Sequence, residues 1–430
     1  MGKKALVFPI LVLLCMFVSL SLHSLMRVDA VNGFPVHNIS TGLSYSKIQE
    51  AIDANETLDG HTILVDVGTY DERLFINKSI SLIGENRDST IINWTGNFFD
   101  PMVDITASNV EVAGFSLLGW TFVKMSVSSC SNVTIRDNFV ESGGQCIYLD
   151  STSNCTIADN SLFARFGLEG NDLVVLDSCS RCLIKNNTIN GACYDGMVLI
   201  NSNNILICNN IISHNGYGID FENFGSPNKE NTIFHNNFED NYRQISGGTS
   251  GYFYENFEGN YWSDYTGKDA NQDGIGDTPY GEDLYPLMGA FQGFSVLDYS
   301  VQTICNSTIS NFGSNGTAIS FDVSGENGTD GFCRICIPTA LLNATYIVYV
   351  NGTEVPYHLL PSSNSTQSYL YFTYHHSTQE VIIISEFPPF SLLSIFMLAP
   401  LIGVILHRNI SYRSKKENRT YQRMKISGTP

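Results

Sequence analysis

A short asparagine-rich motif, Asn-x-apolar/Thr-Ile-x-x-Asn, recurs through the middle of this chain. The second asparagine of the motif advances by 22, 27, 23 and 27 residues. Steps this irregular do not suit a helical solenoid, but they are natural where loops of different length interrupt each turn of a repeat. A weaker copy begins at Asn109, and the five clear copies are Asn132–Asn138, Asn154–Asn160, Arg181–Asn187, Asn204–Asn210 and Asn231–Asn237.

Each copy has the composition of short strands joined by turns. Apolar and β-branched residues alternate over a few positions, and Gly, Asn, Asp and Ser fill the gaps. A unit of this size cannot bury an apolar face alone, so the copies must stack, with like strands paired in parallel about 4.8 Å apart. The sequence therefore predicts a parallel β-helix.

Stacking gives the repeated asparagines and two cysteines a structural explanation. Asparagine side chains at the same tight inward turn of successive coils can hydrogen-bond along the stack, as they do in cross-β assemblies. Cys155 and Cys182 hold equivalent positions in adjacent copies, so we expect a buried, side-by-side pair whose oxidation state the sequence leaves open. A Cys179-x-x-Cys182 spacing without a second CxxC or paired histidines nearby is a weak signal for zinc or redox chemistry.

The segments on either side of the repeat carry a resemblance to a known family. The pattern of Ile48–Ile52 predicts an amphipathic helix that caps the first coil. Strands are predicted at His61–Tyr70 and Ile80–Gly84. The helix, Gly68-Thr-Tyr70 and Leu82-Ile-Gly84 resemble the start of the pectin-lyase-like right-handed β-helix superfamily. Three later segments resemble the NosD-type family of surface and periplasmic β-helix proteins, and they are His235–Phe238, Gly259–Tyr265 and Asp269–Tyr280.

This resemblance covers roughly residues 40 to 290 and implies a right-handed parallel β-helix. The family is named for copper-site assembly, but the sequence has no Met- or His-rich cluster of copper ligands. Copper handling is therefore not expected here.

Beyond the repeat, strand-like runs alternate with Asn-Gly turns, which predicts a small β-sandwich. This region resembles domains that lie between β-helices and C-terminal anchors on archaeal surface proteins, as does Glu386-Phe-Pro388. In some of those families such a motif is a sorting signal and the following helix is removed. The runs are Ala318–Val323, Tyr346–Val350, Tyr369–Tyr374 and Val381–Ile384.

Both ends of the chain indicate export. Residues 1–30 have two early lysines, a long apolar run and the small-residue ending Val28-Asp29-Ala30, as in a signal peptide, although an uncleaved anchor is the alternative. The uncharged run Phe390–Leu406 precedes a basic tail, which favours a membrane anchor with a cytoplasmic C-terminus over a core helix.

We therefore predict an all-β, membrane-anchored surface protein with one C-terminal transmembrane helix. Its predicted parts are 1–30, signal peptide; 31–95, cap helix and first coils; 96–292, parallel β-helix with a calcium-type loop; 293–385, Ig-like β-sandwich; 388–407, transmembrane helix; and 408–430, basic cytoplasmic tail.

Charge and composition exclude two classes of protein. The 430 residues carry a net charge of −19, and the basic residues concentrate at the termini, so no basic stripe exists to bind nucleic acid. With 43% hydrophobic residues the chain can bury a core and is not disordered. Of the thirteen Asn-x-Ser/Thr sequons between Asn38 and Asn364 we expect glycosylation in the cluster Asn306, Asn315, Asn327, Asn343, Asn351 and Asn364.

The clearest candidate metal site is an acidic loop near residue 270. Oxygen-bearing side chains at every second position around Gly274 fit a calcium loop, and an acidic exterior suits cations. Tyr280 stands where an EF-hand loop has its bidentate acid, so Glu282 or Asp283 would have to substitute, and an Asx-rich turn is the alternative. The predicted Ca²⁺ ligands are Asp269, Asn271, Asp273, the Ile275 carbonyl and Asp277.

Enzymes built on β-helices place carboxylates and basic groups on one exposed face. Weak catalytic candidates of this kind are Asp150, Asp177 and Asp195, accompanied by Asp172, His214 and Arg165. Each of the three aspartates also fits ordinary turn chemistry, and no polygalacturonase or pectate-lyase signature is present. A polysaccharide lyase or glycoside hydrolase acting on acidic polysaccharide therefore remains the alternative function.

The sequence favours binding over catalysis. Long parallel coils present a polar face on which aromatic rings can stack against sugars while Asn and Asp bond hydroxyl groups. We predict a structural or adhesive role in the cell envelope with recognition of polysaccharide or envelope glycans. The aromatic candidates, for each of which loop packing is the competing explanation, are Tyr148, Phe163, Phe166, Tyr194, Tyr217 and Phe221.

Overall fold

A computed structural model describes residues 33–165, 171–224, 226–248, 250–343 and 345–385. The predicted signal peptide, transmembrane helix and cytoplasmic tail lie outside these residues. The described part of the chain contains no helix whose length and hydropathy would suffice to cross a membrane. Contacts divide the chain into two compact units, the first of which runs to Phe294 and includes Gln302–Ser307 and Gly331–Ile335.

The first unit begins with a small cap. Strands β1 (Val36–Asn38) and β2 (Leu43–Tyr45) form an antiparallel pair, and β1 continues antiparallel onto β3 (Thr62–Val65). The predicted cap helix is α1 (Ile48–Asp53), whose Ile48, Ala51 and Ile52 are buried. Glu72 accepts hydrogen bonds from the Ile48 and Gln49 amides at 3.0 Å and so satisfies the helix N-terminus. The β1–β2 pair was not predicted.

Stacked short strands form the body of the first unit, which confirms the predicted parallel β-helix. They are β4 (Gly68–Tyr70), β5 (Leu74–Ile76), β6 (Ser81–Gly84), β7 (Thr90–Ile92), β8 (Val103–Ile105), β9 (Glu111–Ala113), β10 (Ser116–Leu117), β11 (Val123–Ser128), β12 (Thr134–Arg136), β13 (Phe139–Ser142), β14 (Gln145–Asp150), β15 (Thr156–Ala158), β16 (Ser161–Ala164), β17 (Val174–Asp177), β18 (Leu183–Lys185), β19 (Thr188–Asn190), β20 (Asp195–Ile200), β21 (Leu206–Cys208), β22 (Ile211–Ser213), β23 (Tyr217–Glu222), β24 (Lys229–Phe234), β25 (Asn237–Glu239), β26 (Arg243–Gly247), β27 (Ser250–Tyr252) and β28 (Tyr261–Trp262).

These strands make three parallel sheets that run along the axis of the β-helix. Sheet A contains β3-β6-β9-β12-β15-β18-β21-β24-β27, sheet B contains β4-β7-β10-β13-β16-β19-β22-β25-β28, and sheet C contains β5-β8-β11-β14-β17-β20-β23-β26. Each coil supplies one strand to each sheet in the order A, B, C. We number the complete coils from coil 1 (β3–β5) to coil 8 (β24–β26). The interior is a continuous column of apolar side chains such as Ile135, Ile157, Ile184 and Ile207.

The predicted asparagine ladder lies at the turn from sheet A to sheet B. In each step the side-chain carbonyl oxygen accepts both the backbone N–H and the Nδ2–H of the ladder residue one coil earlier. The Asn187 Oδ1 atom, for example, lies 3.0 Å from both nitrogens of Asn160. All members are at most 1% exposed, and they are Asn138, Asn160, Asn187, Asn210, Asn236 and Asn260.

One rung of this ladder differs from the sequence alignment. The fifth motif copy places Asn237 in the ladder, whereas Asn210 Nδ2 donates to Asn236 Oδ1 at 2.8 Å. Ile207 pairs with Ile233, and the ladder asparagine follows three residues later in both coils, so the fifth copy begins one residue earlier than the sequence alignment places it. Asn237 instead bonds both the N–H and the carbonyl of Phe291.

The predicted cysteine stack is confirmed. Cys155 and Cys182 immediately precede the paired residues Thr156 and Leu183, and both thiols are free and buried. A second buried polar column lies at the turn from sheet C to sheet A. In it, Cys179 N donates to Ser202 Oγ and Ser202 N donates to Asn228 Oδ1.

The second unit comprises Ser295–Val301, Thr308–Asp330 and the chain from Cys336. Ten strands follow the β-helix, and they are β29 (Ala290–Val296), β30 (Tyr299–Cys305), β31 (Thr308–Ser314), β32 (Ala318–Ser324), β33 (Asp330–Pro338), β34 (Tyr346–Val350), β35 (Thr353–Val355), β36 (Tyr357–Leu359), β37 (Gln367–His375) and β38 (Gln379–Ser385).

Within the second unit, β31-β32-β38-β34-β35 form one antiparallel sheet, and β36 pairs antiparallel with β37. All four strand-like runs noted in the sequence are strands. The Ig-like sandwich packing stays a prediction.

Candidate functional site

The outer face of sheet C carries a column of carboxylates. Asp150 at the end of β14 pairs in register with Asp177 at the end of β17, and each accepts a hydrogen bond from the following serine at 2.9 Å. The same register position continues through Ile200 to Glu222 on β23. The structure therefore brings the predicted pair Asp150 and Asp177 together as stacked neighbours, about 4.8 Å apart as parallel strands require.

The third predicted aspartate, Asp195, lies at the opposite end of its sheet C strand and forms a hydrogen-bonded carboxyl pair with Asp172. Burial of Asp195, followed by the neighbouring negative charges of Asp172 and Asp220, raises its pKa to about 7. Burial also raises the pKa of Asp172. Two carboxyl groups in contact cannot easily both ionise, so this pair retains one proton near neutral pH.

Exposed aromatic rings line the edge between sheets B and C. We call the loops that lead from each sheet B strand to the next sheet C strand the B–C edge. Four of these loops carry a large exposed aromatic side chain, on coils 2, 3, 6 and 8. The exposed fractions are 80% for Phe99, 45% for Trp120, 56% for Tyr194 and 82% for Tyr242. Six coil steps of 4.8 Å separate the first from the last, about 29 Å along the axis.

Neighbouring residues hold the Trp120 ring in place. The Arg165 guanidinium lies 5.8 Å from the centre of the ring, a cation–π distance. Arg165 is itself fixed by Glu141 Oε1 at 2.8 Å and by the Leu118 carbonyl at 3.0 Å. Phe98 packs between Phe99 and Trp120, with ring centres 5.4 and 6.0 Å away. The exposed Trp120 ring is therefore supported by two adjacent loops and by the salt bridge between Arg165 and Glu141.

The aromatic and basic residues predicted from the sequence separate into different environments. Tyr194 belongs to the B–C edge, and Tyr148 and Tyr217 are part-exposed on sheet C. Phe163 stacks on Phe139 and Phe221 is buried, so packing explains both. His214 is exposed and lies 3.9 Å from Asp240, and Phe166 lies outside the described residues.

Sequence reasoning missed Phe99, Trp120 and Tyr242. These residues lie in loops of unequal length and sequence, so the repeat motif does not align them. The signal that could have found them is positional, because each one precedes a sheet C strand by one to four residues.

The predicted calcium loop folds as a network of backbone hydrogen bonds. Asp269 accepts the Asp273 and Gly274 amides, Asp273 accepts the Ile275 amide, and Asp277 accepts the Ala270 amide at 2.7 Å. Burial raises the pKa of Asp269. No three His, Cys, Asp or Glu side chains among the described residues are grouped to hold a metal. The loop matches the Asx-rich alternative, and Ca²⁺ binding by it, together with Asn271, stays a prediction that calorimetric titration would test.

Comparison with known proteins identifies the family of the β-helix. Residues 55–267 match the family described as periplasmic copper-binding protein (NosD). These residues belong to the NosD family. A segment of 155 residues is also 30% identical to a cell surface glycoprotein of Methanothermus fervidus. That match covers 36% of this chain and 21% of the relative, so the chain spans about a fifth of the length of the curated relative.

Two solved structures resemble the NosD-type β-helix at low similarity. An alginate lyase from Paenibacillus sp. str. FPU-7 aligns with a TM-score of 0.36 and 10% identity over 47% of this chain and 92% of the lyase. PfbA, a surface adhesin of Streptococcus pneumoniae, aligns with a TM-score of 0.34 and 16% identity over 54% of this chain and 68% of the adhesin.

The family description and the name of the curated relative both refer to proteins outside the cytoplasm. They support an extracellular or surface location for this NosD-type protein, in agreement with the export signals of the sequence.

Proposed function

We propose that this protein is a surface-anchored NosD-type β-helix that binds an extended glycan along the B–C edge and has an adhesive or structural role in the cell envelope. The observation that carries this proposal is the recurrence of exposed aromatic rings on four loops of one edge. A row of rings about 29 Å long suits a polymer lying along the axis, with sugar rings stacked on it. The polar side chains of sheet C beside the row would bond the hydroxyl groups.

Removing the rings should weaken glycan binding. We expect Trp120→Ala and Tyr194→Ala each to raise the dissociation constant of a bound oligosaccharide about tenfold, because a stacked ring contributes roughly 1 kcal/mol beyond its buried area. Calorimetry of the full chain against oligosaccharides of increasing length measures the effect.

The matched control is Phe224→Ala, since Phe224 is 70% exposed but lies after β23, between sheets C and A. Equal losses for all three variants, or wild-type affinity for Trp120→Ala, would remove the support for a binding edge. A panel in which no oligosaccharide binds the full chain would contradict the proposal outright.

The carboxyl pair favours a second candidate function, cleavage of a polysaccharide. A carboxyl pair that retains one proton near neutral pH, with the pKa of Asp195 raised to about 7, has the properties of a general acid and its partner. In that case the wild-type protein releases new reducing ends or unsaturated products, and Asp195→Asn abolishes the release. Asp150→Asn, which leaves the pair untouched, should retain it. Binding without any product would leave the adhesive role alone.

A further inference from the structure

The outer surface of sheet C is strongly acidic. Six acids lie on its strands, and they are Asp104, Asp150, Asp177, Asp195, Asp220 and Glu222. The same described strands carry two basic residues, Lys124 and Arg243. Lys124 is 1% exposed and donates to the Gly119 carbonyl, so it does not offset the surface charge. A polyanion lying on this face would meet repulsion along most of its length.

A buried acceptor within the acidic cluster has no donor. Asp195 is 8% exposed, its Oδ1 atom makes no hydrogen bond, and the charges acting on it come from Asp172, Asp220 and Glu222. A buried acceptor without a donor is unfavourable whichever member of the Asp172–Asp195 pair carries the shared proton, and the pair keeps a negative charge. An ammonium group would supply both a donor and the compensating positive charge, since it offers three N–H groups and no acceptor.

The neighbouring ring favours the same kind of ligand. Tyr194, 56% exposed, directly precedes Asp195 in the chain. An ammonium ion is attracted to the face of an aromatic ring, and this attraction adds to that of a nearby carboxylate. Aromatic faces beside carboxylates therefore suit a ligand that combines sugar rings with amines.

We infer that the ligand of this face is a glycan bearing free amino groups, rather than a uronic-acid polymer or a neutral glycan. This inference rests on the proposed binding of glycan along the B–C edge. The amino groups would lie beside the carboxyl pair of Asp172 and Asp195 and near Asp220, while the sugar rings stack on the adjacent aromatic row. The acidic polysaccharide considered from the sequence alone is disfavoured by this charge.

The test compares three probes of equal length on the full chain: glucosamine oligomers, their N-acetylated counterparts and galacturonate oligomers. We expect the glucosamine oligomers to bind at least tenfold more tightly than the acetylated ones, with a preference that shrinks as salt is raised. The galacturonate oligomers should bind most weakly. Calorimetry or biolayer interferometry at two salt concentrations gives the dissociation constants.

Charge removal on the protein should abolish this preference. The double variant Asp172→Asn/Asp195→Asn, which removes the charge beside the aromatic row, should reduce the tenfold preference to under threefold. A matched control, Asp298→Asn/Glu354→Gln, removes two exposed charges from the second unit and should leave the preference unchanged.

The possible failures are distinguishable. Equal affinity for amino and acetylated oligomers would overturn the amine inference and leave the proposed glycan binding standing. An absence of binding to all three probes would overturn both. If oligolysine bound as tightly as the glucosamine oligomers, and Trp120→Ala weakened neither ligand, the face would recognise positive charge alone, and the assignment to a glycan would be overturned.

Discussion

Replacing Asn187 with alanine is expected to lower the free energy of unfolding by about 4 kcal/mol, because several buried groups lose their partners at once. The Asn187 side chain accepts two hydrogen bonds from Asn160 and donates to Asn210 and to the carbonyls of Ile157 and Lys185. Alanine leaves the backbone N–H of Asn160 and one of its Nδ2 hydrogens without an acceptor in the interior, while the other Nδ2 hydrogen keeps the Ile135 carbonyl. It also interrupts a chain of aligned amides that polarise one another.

Urea unfolding of the full chain, followed by circular dichroism, measures this loss. The control is Asn186→Gly, because Asn186 is exposed in a left-handed turn with φ of 56° that glycine adopts without strain. We expect the control to change stability by less than about 1 kcal/mol. A loss at Asn187 no larger than that of the control would mean that the ladder does not contribute to stability.

The asparagine ladder is the part of the fold that the sequence predicted most directly. Its members recur at a fixed distance from an apolar strand. The spacing of the repeat and the hydrogen-bonding capacity of asparagine therefore predicted the same arrangement. The exception at Asn236 arose because the fifth copy was aligned on Phe234, whereas the residue that pairs with Ile207 is Ile233. One alignment matches the template at Ile233 and the other at Asn231, so the template alone did not decide between them.

The candidate site was predictable only where strand register determined it. The stacking of Asp150 on Asp177 followed from their equivalent places in successive coils, and the structure confirms it. The pairing of Asp195 with Asp172 did not follow, because the loop that contains Asp172 is longer than the corresponding loop of the next coil. Loops of unequal length bring such residues together, and the period of the repeat does not predict where these loops end.

The cluster of Glu258, His235 and Arg334 shows the same limit at the end of the β-helix. Glu258 lies just before the last ladder asparagine, whereas Arg334 is 76 residues away in the chain. The Arg334 guanidinium donates to Glu258 Oε1 at 2.5 Å, and His235 Nε2 lies 2.8 Å from Oε2. The His235 ring stacks on Phe291 with ring centres 3.9 Å apart. The repeat motif does not predict this contact.

We expect Glu258→Gln to cost about 3–5 kcal/mol of unfolding free energy at pH 7, because it removes the negative charge that Glu258 places against the buried Arg334 guanidinium. The side chains of Arg334 and Glu258 are only 6% and 15% exposed, so solvent screens them little. Burial alone would raise the pKa of Glu258, but the hydrogen bond from His235 and the charge of Arg334 outweigh it and lower the pKa to about 2.

This lowered pKa gives the cluster a defined pH dependence. A carboxyl whose pKa is lower in the folded state stabilises the fold fully above its unfolded value, which is 4.5 here, and loses that contribution as the pH falls toward about 2. Urea unfolding at pH 7, 4 and 2.5 should therefore show the wild-type advantage over Glu258→Gln shrinking between pH 4.5 and 2. The exposed Glu255→Gln serves as the control and should follow the wild type.

A double variant separates loss of the ion pair from loss of packing. Adding Arg334→Met to Glu258→Gln removes the uncompensated charge, so we expect it to restore at least half of the lost stability. A double variant as unstable as the single one would indicate that the arginine stem, which packs against Gly274 in the acidic loop, contributes more than its charge. The cluster would then stabilise the end of the β-helix partly through the packing of that stem.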